Sequence, residues 1–394
     1  MTASKPIDVG EVILSEKAYS AVLYPEHFGG HCQTCFKRLT ILFPCRNCCD
    51  VAYCSPICQE RDSGHRVECQ FTGLLTGLGC SQVARLALRM ISQRSFDEIL
   101  ALKMKLTQTN LKEDVAASES DPYVQVYNLC HGNDSRSSDD KICRSLMASV
   151  LGRLLKEARY FPDLCSTFEY TYVCSLLLRN LQVLQFNAHE IYAVVRPSPK
   201  AISPCKNKII ALGIYPRASY FNHSCHGQVS RTFDGSDLVL RSLRGIPAGS
   251  EILENYGPTF YLKSFEERQR DLSLRYWFDC ACEPCCGEWP KLKILRQSKL
   301  GEIELQRLGK AMKSGAESDG AIIEGLCQLQ RNYQSETESK GEGEGRASES
   351  SGVGSSSRPP TEQWIKVEDK LRTCFSTLGN SVFLGGGDVA TSKK

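Results

Sequence analysis

Cys32-Gln-Thr-Cys35, Cys45-Arg-Asn-Cys48, Cys54-Ser-Pro-Ile-Cys58 and His65-Arg-Val-Glu-Cys69 follow one another in a single short stretch of the chain. Zinc takes four soft or borderline donors at tetrahedral corners, and a C-x2-C pair brings two thiolates to one ion from one tight turn. Eight donors make two sets of four. Two ions sharing so short a segment interleave their pairs, which assigns Cys32, Cys35, Cys54 and Cys58 to one ion. Cys45, Cys48, His65 and Cys69 then hold the other. A disulfide knot is the competing explanation, but four regular pairs closed by a histidine fit metal far better than bridges. Cys49 falls outside the register.

This spacing resembles a MYND zinc finger, a module that binds short peptides in partner proteins. A segment this small has no room for an apolar core, so metal binding is expected to supply most of its folding energy.

The surrounding chain is large enough for a real core: 394 residues accommodate two or three domains. Hydrophobic residues make up 41% and charged residues 24%, an ordinary balance for a soluble protein. A formal net charge of +3 gives no reason to expect nucleic acid among its main partners. No apolar run reaches the ~18 residues of a membrane span. Residues 1–20 lack the charged start and apolar stretch of a secretory signal. Twenty-one cysteines without such a signal point to a reducing compartment where thiols serve metals, and the expected setting is nucleus and cytoplasm.

Ahead of the finger, Glu11–Glu16 and Ala21–Tyr24 read as two short strands, which must pair with something beyond it. The finger therefore reads as an insertion into another fold. From Phe71 to about Tyr160 the periodicity is helical, interrupted by a polar loop at Asn133–Lys141 and resumed at Ile142–Glu157. Phe168–Leu184 is a further helix. Lys208–Leu212 reads as a buried strand, Val229–Phe233 and Leu238–Leu243 flank the hairpin signal Asp234-Gly235, and Ser250–Asn255 reads as one more strand. Helices are expected again at Leu292–Met312, Ala321–Tyr333 and Trp364–Leu378. Residues 335–360, rich in Ser, Glu and Gly, read as a disordered insertion, and the last fifteen residues as a frayed tail.

A second cysteine group lies far from the first. Cys280-Ala-Cys282-Glu-Pro-Cys285 offers three zinc donors, and Cys225 of Asn222-His-Ser-Cys225 can supply the fourth. With Glu251-Ile-Leu-Glu-Asn-Tyr256 and Tyr276-Trp-Phe278, these motifs resemble the SET and post-SET segments of lysine methyltransferases. A MYND finger inserted into a SET domain is the mark of the SMYD family, and the resemblance covers roughly residues 9–290. The stretch Leu181-Gln-Val-Leu-Gln-Phe-Asn187 points to one branch within it.

The resemblance implies transfer of a methyl group from S-adenosylmethionine to a lysine of a histone or non-histone protein. It implies that Asn222 and His223 hold the cofactor, that Asn187, Ser219 and Tyr256 touch it, and that Phe278 packs on the adenine. Tyr256 is the implied catalytic tyrosine, and Tyr276 lines the lysine channel. The residue types suit the reaction. An in-line displacement at a sulfonium depends on positioning, and a narrow aromatic channel favours the neutral amine that must attack. No carboxylate base is required.

The expected architecture is α+β, divided as follows. Residues 1–31 begin the SET domain without its usual glycine-rich opening, 32–69 form the finger, and 70–180 a helical insert. Residues 181–260 are the core SET domain, 261–290 the post-SET zinc segment, and 291–394 a helical region read as incomplete. Three zinc ions are expected, in a monomer. The alternative function is a non-catalytic adaptor that recruits transcriptional corepressors through the finger.

Overall fold

The computed structural model describes residues 1–108, 121–196, 198–341 and 358–383. Its organising fact is that the two strands ahead of the finger pair only with strands far downstream. Strand β1 (Val12–Lys17) lies antiparallel to β8 (Asp237–Ser242), which hairpins with β7 (Val229–Asp234) through Asp234 and Asp237. Strand β2 (Ser20–Leu23) pairs with β6 (Lys206–Ile214), and β6 with β5 (Ala188–Arg196). Leu14, Leu23, Ile191, Ile210, Phe233, Leu238 and Leu240 alternate inward from these sheets into one buried core.

The finger leaves this body after β2. Strands β3 (Phe43–Pro44) and β4 (Ala52–Tyr53) pair antiparallel, and helices α1 (Pro56–Glu60) and α2 (Ser63–Glu68) follow. Its small apolar cluster is Cys32, Cys45, Val51, Tyr53 and Cys69, so cysteines make up much of what would be a core.

The insert comprises α3 (Thr72–Gly77), α4 (Gln82–Ser92), α5 (Phe96–Gln108), α6 (Pro122–Tyr127), α7 (Ser138–Glu157) and α8 (Thr167–Asn187). Ser81 caps α4, and Ser166 with Glu169 forms a reciprocal cap on α8. Helix α4 is buried from Ala84 to Ser92 on every side, because it is wedged between the finger, β2 and α8. Helix α7 starts four residues earlier than its hydrophobic pattern, since Ser137 caps it within the stretch read as a loop.

Downstream come α9 (Phe265–Tyr276), α10 (Glu283–Cys286), α11 (Glu302–Ser314), α12 (Asp319–Gly341) and α13 (Glu362–Thr377), then strand β9 (Ser381–Phe383). Three expectations are corrected here. Residues 292–301 are not the start of a long helix. Leu292–Ile294 makes one 3-10 turn, Gly301 has a left-handed φ of 63°, and Ser298 and Arg296 bond across to α13 instead. Ser250–Asn255 forms no regular strand, because its backbone bonds are divided among Met1, Asn222, Ser224 and Gln228. The tail read as frayed begins with β9, which pairs parallel to β5. The insertion read at 335–360 starts inside α12; residues 342–357 of it lie outside the described residues, as do residues 384–394 of the tail. The whole is an α+β architecture, and no helix among the described residues is long and apolar enough to cross a membrane.

Candidate functional site

Each of the three expected ligand sets is gathered in space. Cys32, Cys35, Cys54 and Cys58 bring their sulfurs within 4.8 Å of one another, as do the donor atoms of Cys45, Cys48, His65 and Cys69, and those of Cys225, Cys280, Cys282 and Cys285. The separations test the fit. A tetrahedral ion with zinc–sulfur bonds of about 2.3 Å requires sulfur–sulfur edges of about 3.8 Å. Cys35–Cys54 is 3.7 Å, Cys45–Cys69 3.7 Å, Cys54–Cys58 3.5 Å and Cys225–Cys285 3.6 Å. The mixed edge from Cys48 Sγ to His65 Nε2 is 3.5 Å, against about 3.6 Å for a tetrahedron with a 2.0–2.1 Å nitrogen bond. All these cysteines are free thiols, too far apart for disulfides. The residues fit zinc. Cys49 and Cys286 lie outside all three sets.

Within each set the neighbouring thiols favour the thiolate at some members and the thiol at others. Cys35 donates to Cys32 and holds its thiol down at about 5. Cys282 is held far below the ordinary thiol range, first by Cys225 and then by Cys280 and Cys285. The buried Arg268 of α9 sets a guanidinium nitrogen 3.6 Å from Cys285 Sγ, a countercharge that the motif did not reveal.

The third set fixes the geometry around Tyr256. The Asn222–Cys225 segment runs beside Glu251–Tyr256, with Glu254 N donating to Asn222 O at 2.8 Å and Ser224 N to Glu254 O at 2.8 Å. His223 Nδ1 accepts from Tyr256 N at 3.0 Å, and burial holds its pKa down at about 4. The His223 ring lies 5.2 Å from Tyr256 and 6.1 Å from Phe278; Tyr256 lies 5.0 Å from Tyr276. Tyr256 OH donates to Phe221 O at 2.5 Å, and burial raises its pKa.

A cavity of about 650 Å³ opens against these tyrosines. Asn187, Ser219, Tyr256 and Tyr276 line it; Asn222, His223 and Phe278 are not among its lining residues. Asn187 spends both amide protons on Cys130 O and Val183 O, and Ser219 donates to Tyr215 O, so each can offer a ligand only acceptor atoms. Asn222 turns its amide to Glu251 at 2.7 Å.

The cavity has charged walls that the sequence reading did not nominate. Glu254, 3% exposed, pairs with Arg231 of β7 at 2.8 Å. Burial raises the Glu254 pKa against the opposing pull of Arg231. From α13, Arg372 reaches the cavity while held by Glu368 and Asp369. Glu368 is fully buried and also meets Arg244 at 2.9 Å, His226 at 3.0 Å and Trp364 Nε1 at 2.8 Å, which ties α13 to the segment carrying Cys225. An arginine in the otherwise uncharged stretch Val229–Phe233 was the available signal for the first pair. For Glu368 there was none.

Comparison with known proteins agrees with this geometry. The SET domain profile matches residues 1–257. Human Protein-lysine N-methyltransferase SMYD4 is 27% identical over 363 residues, covering 73% of this chain and 45% of the relative. Human N-lysine methyltransferase SMYD2 is 24% identical over 321 residues, covering 81% and 63%. Mouse Histone-lysine N-methyltransferase Smyd1 is 25% identical over 301 residues, covering 72% and 53%. The chain thus spans about half the length of the curated relatives it matches. With its SET-type strands divided by a finger and a helical insert, the chain belongs to the SET-domain family and, within it, to the SMYD group.

Proposed function

We propose that the chain is a protein-lysine N-methyltransferase that uses S-adenosylmethionine and three structural zinc ions. The observation that carries this reading is the Tyr256–Tyr276 pair, held at the wall of the 650 Å³ cavity by the crossing of Asn222–Cys225 with Glu251–Tyr256. When bound, S-adenosylmethionine supplies a methyl group on a positively charged sulfur.

The chain's own residues do the rest. Cys225, Cys280, Cys282 and Cys285 hold one zinc and clamp the crossing. Asn187, Ser219, Asn222, His223, Tyr256 and Phe278 bind the cofactor, with His223 and Phe278 as the aromatic side of its pocket. Tyr256 orients the attacking amine, and Tyr276 narrows the channel and excludes water. Desolvation between these rings favours the neutral amine of a lysine whose free pKa is near 10.4. The substrate is a histone or non-histone protein, and the setting is nucleus and cytoplasm.

The finger, residues 32–69, holds two zinc ions and binds short peptides. A second reading, an adaptor that recruits corepressors without catalysis, is favoured by exposed Ile41, Leu42 and Ile57 on the finger surface. Calorimetric titration of the zinc-loaded chain with S-adenosylmethionine separates the two. Micromolar binding is expected, with turnover lost in Tyr256→Phe. A folded, zinc-holding chain that binds no cofactor would favour the adaptor.

A further inference from the structure

Lys310 and Lys313 of α11 are three residues apart, and Lys366 and Lys370 of α13 four, so each helix turns one pair towards the groove between them. The groove holds about 360 Å³ and takes no part in the mechanism above. Four cations in one groove repel one another, and lysines on a solvated face ordinarily spread apart or pair with acids. Here Lys366 meets Glu362 at 2.7 Å, whereas among the described residues Lys310, Lys313 and Lys370 form no ion pair. Glu302 is the one carboxylate in the lining, and it accepts from Gln306 Nε2 at 3.4 Å. Glu362 thus matches one lysine and Glu302 offsets another, which leaves two positive charges over.

Two further features distinguish the groove from a charged surface. A Cβ at Gly309 would lie 3.0 Å from Lys370 Nζ, so the glycine lets that ammonium settle against the α11 backbone. Lys370 is partly buried there, and burial followed by the charge of Lys313 lowers its pKa. Gln363, 7% exposed, also lines the groove. Its Oε1 accepts from Ser298 N at 2.7 Å, which fixes the orientation of the amide, and its Nε2 has no partner among the described residues. That nitrogen is not sealed from solvent. Crowded ammonium groups and a spare amide donor suit an anion with several acceptor oxygens.

The residue types narrow the choice. An ammonium is a compact point charge suited to phosphate, whereas planar pairing with a carboxylate is the strength of arginine. No arginine lines the groove. A phosphate monoester carries about −1.5 to −2 charges at neutral pH, which matches the surplus. Nucleic acid calls for cations set out along a backbone, but these four share one groove in a chain of net charge +3.

We propose that the groove between α11 and α13 binds a phosphate monoester carried by a phosphorylated protein segment, with Lys310, Lys313 and Lys370 on its oxygens and the Gln363 amide as a neutral donor. The inference does not depend on the methyltransferase reading. Helix α13 also carries Arg372, Thr373 and Ser376 of the cavity lining, so the two sites share one helix.

The test uses the full zinc-loaded chain and a fluorescein-labelled Ala-Ala-Ser-Ala-Ala peptide, with and without phosphate on its serine, read by fluorescence polarisation at low salt. The phosphorylated peptide is expected to bind roughly tenfold more tightly, the effect of one charge-assisted hydrogen bond. Raising the salt should shrink that ratio. Lys313→Gln/Lys370→Gln should bring it near one, and Lys310→Gln, at an exposed position, should lower it severalfold. Equal binding of the two peptides by the unaltered chain overturns the proposal and requires no variant to fold. So does a folded, zinc-holding Lys313→Gln/Lys370→Gln chain that keeps the preference. Competition separates the sources of phosphate. Inorganic phosphate should displace the labelled peptide only at concentrations well above those of unlabelled phosphopeptide. Displacement at equal concentration would make this a site for the free ion and overturn the protein-borne assignment. A single-stranded oligonucleotide that displaces the peptide at lower concentration than unlabelled phosphopeptide would overturn it in favour of nucleic acid.

Discussion

Replacing Arg89 by Met should loosen the finger from the rest of the molecule. Arg89 projects from α4 to Glu68 at 2.6 and 2.8 Å and to Asp62 at 3.1 Å, and Ser92 also donates to Glu68. The three charged side chains are 8%, 11% and 4% exposed, too buried for solvent to screen. Removing the guanidinium leaves two carboxylates buried without their cation, a change that costs about 3–5 kcal/mol. That is a third or more of the stability of many domains. The loss should reach the metal, because Asp62 Oδ1 also caps α2 by accepting from His65 N at 2.9 Å. Urea unfolding in zinc-saturated buffer measures the cost, and a chromophoric chelator measures release from each site. We expect faster release from the Cys45, Cys48, His65 and Cys69 site than from its neighbour. In the double variant Arg89→Met/Glu68→Gln one stranded charge is gone, and about half the loss should return. A cost below about 1 kcal/mol, or no recovery in the double variant, would refute the reasoning.

Gly64→Ala should act on the same contact from the other side, since a methyl group there would lie 2.4 Å from Arg89 Cδ; about 1–3 kcal/mol of destabilisation is expected in the same urea assay. Cys225→Ser should reduce bound zinc from three ions to two by native mass spectrometry, and a chain retaining three would remove Cys225 from the set. Glu368→Gln leaves Arg244 and Arg372 without their buried anion, so about 3–5 kcal/mol should be lost, with amide exchange accelerating in α13 before β7. His189 gives a pH signature: burial, then the charge of Arg231, depress its pKa to about 3. The unfolded chain takes up this proton near pH 6.5 and the native chain only near pH 3. The stability it contributes is complete above pH 6.5 and is lost as pH falls towards 3, by up to ~1.4 kcal/mol per unit. His189→Phe should flatten that slope in denaturation series run with zinc content monitored; an unchanged slope would assign it elsewhere.

The features legible in the sequence are those whose chemistry is written in local spacing. Cysteine pairs with two residues between them announce a metal because one turn must present both thiolates, and Asp234-Gly235 announces a hairpin because few other pairs make that turn. Periodicity is weaker evidence. It extended a helix back to Leu292, where backbone groups in fact bond across to α13, and it missed β9, whose three residues carry no pattern of their own. Least legible were the buried charges. Glu254 and Glu368 look like surface residues in the sequence, and only the approach of Arg231, Arg244 and His226 from distant segments makes burial tolerable. The cavity wall was thus hidden even where the tyrosines within it were not.

The pairing of β1 with β8 has a consequence for how the chain is made. Val12–Lys17 leaves the ribosome about 220 residues before its partner Asp237–Ser242, and Ser20–Leu23 waits nearly as long for Lys206–Ile214. At 5–20 residues per second that interval is roughly 10–40 s. All eight candidate ligands of the finger lie within residues 32–69, so they emerge together, long before the strands that β1 and β2 await. A finger that took up zinc during synthesis would precede an unfinished sheet, with two unpaired strands tethered directly before it. A cell short of zinc would leave both exposed together, and their failure would show first as aggregation of nascent chains.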